Sequence, residues 1–202
     1  QLLHDHLQGV ATIARRLAES TGLQDLEYAA EVAGWLHDLG KYQIEWQNYL
    51  IASSNGLSPP TVPHSIHGAA YAFRELEHCP LTLAIAGHHT GLQDWIGGDQ
   101  FEGRALKQAP PGVIAGLVAT AKQDGSFLPA AVALPDCEDS EAGLRRLEYW
   151  TRVLFSTLID ADRLDSAGRG LSNLSLRPDA MLTGMRQAAP QVSAGTSSKL
   201  ND

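Results

Sequence analysis

The chain has few cysteines, a shortage of positive charge and no long apolar run, and each shortage removes a class of protein. Its two cysteines, Cys79 and Cys137, supply neither a disulfide framework nor the paired spacing of a cysteine zinc site, so they read as reduced, partly buried thiols. The longest apolar stretches, such as residues 113–121, are too short and too interrupted by glycine to span a bilayer, so no membrane partner is expected. Lys and Arg number 15 against 23 Asp and Glu, a formal charge of −8. That balance argues against a general nucleic-acid coat protein, which draws on clustered cations. It leaves metal-assisted phosphate chemistry open, because bound divalent cations supply local positive charge. No Gly-rich loop ending in Gly-Lys-Ser/Thr occurs, which excludes a phosphate-loop NTPase. No strand alternation and no internal repeat is legible. A charged-then-apolar signal segment is also missing at the start, so a cytoplasmic location is the default expectation.

What is present is helical periodicity. With 202 residues, 44% hydrophobic and 19% charged, the chain is long enough for one domain with a substantial core. Leu2, Leu3, Leu7, Val10, Ile13, Ala14 and Leu17 recur at helical spacing from the first residues onward. This start, without a methionine, reads as a piece of a longer or processed protein. Further helices are expected over 24–39, with Gly40 as a C-cap, over 45–52, 64–77 and 81–89, and over 102–108 and 111–122. Residues 53–63 carry Gly and three prolines and read as a loop. A long helix is expected over 140–164, with Leu144, Leu147, Trp150, Leu154, Leu158 and Ala161 on one side. Beyond Arg177 one more helix at most is supported, and 191–202 reads as a flexible tail or linker. The expected fold is all-α, a compact helical bundle, with the domain over 1–190. Trp35, Trp46, Tyr49 and Trp150 read as core packing.

Eight histidines are many for this length, and their placement says more than their number. His6 falls on the first helix, His37 and Asp38 near the end of the second, and His64 and His67 at the start of the fourth. His88 and His89 end a short helix, and Asp160 and Asp162 lie late in the long one. His78 stands apart and reads as a surface histidine, and His4 as facing away from His6. Imidazole nitrogen and carboxylate oxygen suit divalent transition metals, and several helices of a bundle together can hold two of them. Neighbours such as His37 and Asp38 project about 100° apart on a helix and can serve adjacent ions. Taken singly, each of these residues reads more simply as a solvated or hydrogen-bonded side chain, and Lys41 as a surface lysine. The order of the set gives the metal reading its weight. On residues alone, either His64 or His67, and either Asp160 or Asp162, can be the ligand.

The string Trp35-Leu36-His37-Asp38-Leu39-Gly40-Lys41 resembles the signature of the HD phosphohydrolase superfamily. Its continuation through Trp46-Gln47-Asn48-Tyr49-Leu50, together with Pro63-His64-Ser65, Gly87-His88-His89-Thr90-Gly91 and Asp160-Ala161-Asp162-Arg163-Leu164-Asp165, is similar to one branch. That branch is the HD nuclease domain of the CRISPR-associated type I helicase-nuclease, and His6-Leu7-Gln8-Gly9 fits its first ligand motif. The resemblance covers about residues 2 to 166. It implies a bundle of the HD phosphohydrolase type that holds two divalent transition metals, with Mn, Fe, Co or Ni preferred over Mg or Zn. His6, His37, Asp38 and Asp162 would surround the first ion and His64, His88 and His89 the second, with Asp38 bridging. It thereby favours His64 over His67 and Asp162 over Asp160. Asp38 and Lys41 would be catalytic, the lysine facing the scissile phosphate. The implied activity is nuclease cleavage of single-stranded DNA in antiviral defence, by two-metal activation of water, with endonuclease and exonuclease attack both left open. The implied partners are the DNA, a helicase domain or subunit, and a guide-RNA surveillance complex. Because the helicase motifs are missing, the chain would be an isolated domain or a stand-alone subunit, with 191–202 leading towards a missing helicase. The alternatives are a nucleotide or cyclic-nucleotide phosphohydrolase of the same superfamily and a non-catalytic interaction module.

Overall fold

Apolar residues at helical spacing build the first layer of the bundle. In α1 (Leu3–Glu19) the residues Leu7, Val10, Ala11, Ala14 and Ala18 form one stripe and are all buried. This stripe packs against α2 (Leu26–Leu36) and α8 (Glu141–Ser166). The computed structural model describes residues 1–92, 101–135 and 140–169, and among them every regular element is helical. The expectations for residues beyond 169, including the helix after Arg177 and the tail at 191–202, fall outside the described residues, as does Cys137. No described helix is long and apolar enough to cross a membrane.

The remaining elements are a 3₁₀ turn (Leu39–Tyr42), α3 (Ile44–Ser54), α4 (Ser65–Arg74), α5 (Cys79–Gly87), α6 (Phe101–Gln108) and α7 (Pro111–Gln123). Helix α5 is apolar nearly all round and sits between α4 and α8, with Leu81 and Ile85 fully buried. Leu7, Leu36, Leu39, Leu154 and Leu158 join them in the core, which fixes the ends of α1, α2 and α8 relative to one another. Helix α8 starts at Ser140, whose hydroxyl caps the Gly143 amide at 3.0 Å.

Four local expectations need correction. Helix α2 ends at Leu36, not at residue 39, and Gly40 lies inside the 3₁₀ turn instead of capping a helix. Gly40 is needed for close approach: a β-carbon there would lie 2.2 Å from the His64 carbonyl oxygen and 2.6 Å from its α-carbon. Trp46 and Tyr49 are not core residues, because α3 buries none of its side chains, whereas Trp35 and Trp150 are buried as expected. His78 is not on the surface but fully buried. Its Nδ1 accepts the Leu81 amide at 3.1 Å as the cap of α5, and its Nε2 donates to the Ala133 carbonyl at 3.3 Å. Cys79, finally, is exposed.

Candidate metal centre

The chain leaves the α-helical ladder where α2 stops, and this break makes the site. His37 is the last residue with helical backbone angles, and Asp38 at φ −111°, ψ 19° turns out of the helix. Both side chains are buried, with Asp38 facing His6, His64 and His88, and His37 facing His6, His88 and Asp162. The divergence of adjacent residues expected from an unbroken helix is therefore produced by a helix end.

Asp38 stands at the centre, 1% exposed. Its Oδ2 lies 3.2 Å from His37 Nε2, 3.5 Å from His6 Nε2 and 2.5 Å from Lys41 Nζ. Its Oδ1 lies 3.3 Å from His64 Nε2 and 3.7 Å from His88 Nε2. One carboxylate thus presents a separate oxygen to each of two groups of rings. Asp162 Oδ1 approaches the first group, 3.4 Å from His6 Nε2 and 3.9 Å from His37 Nε2. His89 completes the second, with its Nε2 2.8 Å from His64 Nε2. Potential ligand atoms within 4.8 Å of one another fall into the sets Asp38–His64–His88–His89, His6–His37–Asp38 and His37–His88–Asp162. All eight site residues named from the sequence, Lys41 included, are brought together. His67 is buried elsewhere, its Nδ1 3.3 Å from the His64 carbonyl, and Asp160 is exposed on α8. His4 lies against Trp35, at 5.8 Å between ring centroids, and takes no part.

The tautomers fit a cation. His37 Nδ1 donates to the Gly34 carbonyl at 2.8 Å and His88 Nδ1 to the Ile85 carbonyl at 2.7 Å. A carbonyl only accepts, so the Nδ1 protons are committed outward and each Nε2 faces the centre. Among the described residues, the buried side-chain atoms without a hydrogen-bond partner are His67 Nε2, away from the centre, and three within it: His37 Nε2, His88 Nε2 and Asp38 Oδ1. Buried polar atoms left unmatched in this way are costly, and a bound cation would satisfy all three. The His64–His89 nitrogen separation also suits two bonds to one ion, since ligands about 2.1 Å from a metal at right angles lie about 3 Å apart. The residues present fit a divalent metal ion.

Electrostatics divides the rings into two kinds. Burial disfavours a charge on His6, but the carboxylates of Asp162, Asp38 and Asp165 outweigh it and push the ring up to about 10. Burial pushes His64 down to about 4 and lowers His89 as well. Burial raises the Asp38 and Asp162 carboxyls, yet the surrounding histidines win. Asp38 is held well below the usual carboxylate range, chiefly by His37, and Asp162 is brought down to about 2, chiefly by His6. At neutral pH, His64 and His89 can therefore accept a cation without losing a proton, whereas His6 must release one. Protons compete at His6 up to about pH 10, so affinity on that side rises with pH across the neutral range. Titration calorimetry of Mn2+ at pH 7.5 in buffers of different ionisation enthalpy is expected to show about one proton released per chain loaded at the His6 side. No proton release would contradict this assignment.

Asp165 is a site residue that the sequence reading missed. Its Oδ2 accepts from His6 Nδ1 at 2.7 Å and from Gln1 Nε2 at 2.9 Å, which fixes the His6 ring with Nε2 inward. Gly9 gives it room, because a β-carbon there would lie 1.9 Å from Asp165 Oδ1. The available signal was the three-residue spacing from Asp162, which places both carboxylates on one face of α8. Asp165→Asn is expected to weaken metal binding by 10- to 100-fold while leaving the helical content intact. Unchanged affinity would show that Asp165 does not orient the ring.

Residues 3–121 match the HD domain family, well over half of the 202 residues, and the chain belongs to that family. The all-α bundle and the His/Asp cluster agree with it, and the class is that of metal-dependent phosphohydrolases. No curated protein matches the chain. The matched region ends within α7, so the places of Asp162 and Asp165 beside His6 come from the packing of α8 on α1.

Proposed function

We propose that this chain is a two-metal nuclease that cleaves phosphodiester bonds of single-stranded DNA. In this reading it works with a helicase domain or subunit and a guide-RNA surveillance complex in CRISPR antiviral defence. The observation that carries the two-metal part is Asp38, which offers one oxygen to His6 and His37 and the other to His64 and His88. The DNA part draws on the motif resemblance, from His6 through Asp162.

His6, His37, Asp38 and Asp162 would hold one ion, and Asp38, His64, His88 and His89 the other. When bound, such a pair lowers the pKa of water and neutralises charge on a phosphate. The chain's own residues prepare the rest. Asp38 stays ionised because the rings around it outweigh its burial. Lys41, about one-quarter exposed, reaches from the 3₁₀ turn to Asp38 and presents a positive charge at the open side, where a phosphate's oxygens would gather negative charge. His89 is exposed and His64 half-buried, so substrate approaches from their side, while His37 and His88 lie behind them, sealed from water.

A second reading, hydrolysis of nucleotides or cyclic phosphodiesters, is favoured by one observation. The chain carries eight more acidic than basic residues, and a small substrate needs no long cationic groove. Incubating the Mn2+-loaded protein with single-stranded DNA and with a panel of mononucleotides and cyclic dinucleotides separates the two. Cleavage of the DNA is expected. Intact DNA with hydrolysed nucleotides would reverse the order of the readings.

A further inference from the structure

Trp46 has no role in the core and none in holding a metal, yet it stands at the mouth of the metal centre. It sits on α3, which buries none of its side chains. Its ring centroid is 4.4 Å from that of His64 and 5.1 Å from that of Tyr49, and Lys41 Nζ lies 5.5 Å from it. The ring is half-buried and lines a cavity of about 450 Å3 together with His6, Lys41, Gln47 and Leu50. Leaving a large aromatic ring partly in water forgoes much of the stabilisation its burial would give. Here the forgone burial coincides with a cation and a cluster built for a phosphate ester.

From this juxtaposition we infer that Trp46 is a nucleobase platform, on which the base next to the scissile phosphate stacks. This inference rests on the site taking a phosphate ester that carries a nucleobase. A base lies one sugar away from its phosphate, and Trp46 lies one ring away from His64, so a nucleotide seated on the cluster brings its base to this cavity. Lys41 adjoins both the carboxylate centre and the ring, so one cation serves the phosphate side and the aromatic side. Stacking is sequence-tolerant, because every base has a π-face. It also gives the acidic chain a hold on DNA that does not depend on a basic groove. Tyr49, beside Trp46 and also half-buried, extends the aromatic surface along α3.

The test compares binding of a fluorescently labelled single-stranded oligonucleotide with that of its abasic counterpart of equal length, by anisotropy in EDTA so that neither is cleaved. The wild-type chain is expected to prefer the base-bearing strand by about tenfold, within the range one stacked base supplies. Trp46→Ala should bring that preference close to unity, and Trp46→Phe should retain most of it. Circular dichroism checks that both variants keep the wild-type helical content. If Trp46→Ala weakens both strands equally, or leaves the preference intact, the inference is overturned. The companion measurement is KM for whichever nucleotide the Mn2+-loaded protein hydrolyses. If DNA is left intact but a mononucleotide is hydrolysed, a higher KM in Trp46→Ala, restored in Trp46→Phe, upholds the platform while the nuclease reading falls. An unchanged KM in that case overturns the platform too.

Discussion

Replacing Asp38 by alanine is expected to lower phosphodiester hydrolysis by a thousandfold or more and to remove bound metal from both positions. The magnitude follows from the stakes: a metal ion supplies several kcal/mol of charge stabilisation in the transition state, and about 1.4 kcal/mol corresponds to tenfold in rate. Asp38 faces both ring groups, so its loss strips a ligand from each at once. The fold should survive. Its core is carried by Leu7, Leu36, Leu39, Leu81, Ile85, Leu154 and Leu158, none of which depends on the carboxylate. His6 can release its extra proton, and Lys41 can turn to solvent. Elemental analysis, circular dichroism and a cleavage assay on the same preparation check all three statements. Full activity in this variant would sink the metal assignment.

Gly40→Ala is expected to be nearly as damaging, by a different route. The added β-carbon would meet backbone atoms of His64 at 2.2 and 2.6 Å, and backbone cannot give way as a flexible side chain can. Either the 3₁₀ turn or the start of α4 must move. The first outcome shifts Asp38 and Lys41, and the second shifts His64. Overpacking of this kind costs about 1–3 kcal/mol or more, and a misplacement of about 1 Å in a catalytic arrangement can cost about a hundredfold in rate. The variant should therefore melt earlier and lose at least about a hundredfold in hydrolysis, with metal lost first from the His64–His88–His89 side. Wild-type melting with wild-type turnover would show that the close approach at Gly40 is not needed.

These two residues also show where the sequence was informative. Apolar periodicity located the helices well, because α1 and α8 bury one stripe each and the stripe is visible in Leu7, Val10 and Ala14 and in Leu154, Leu158 and Ala161. Spacing brings His37 and Asp38 to notice but does not show that α2 stops at Leu36, just before them, because the packing around them is set by residues distant in sequence. For the same reason His64 and His67 could not be separated on residues alone. One ring turns into the centre and the other is buried behind it, and that choice is made by packing. His78 was misread because a histidine that caps a buried helix looks, in sequence, like any isolated polar residue. Trp46 and Tyr49 run against the expectation because aromatic residues are usually buried, and nothing local reveals that α3 buries none of its side chains among the described residues. Asp165 escaped notice because its partner lies 159 residues away.

The central claim is that Asp38 joins two metal positions. It is tested most directly by anomalous scattering from crystals of the chain grown with Mn2+. Two anomalous peaks are expected on either side of Asp38, one within bonding distance of His6, His37 and Asp162 and the other of His64, His88 and His89. A single peak that leaves one of these groups empty in a hydrolytically active crystal, or peaks remote from Asp38, would contradict the claim.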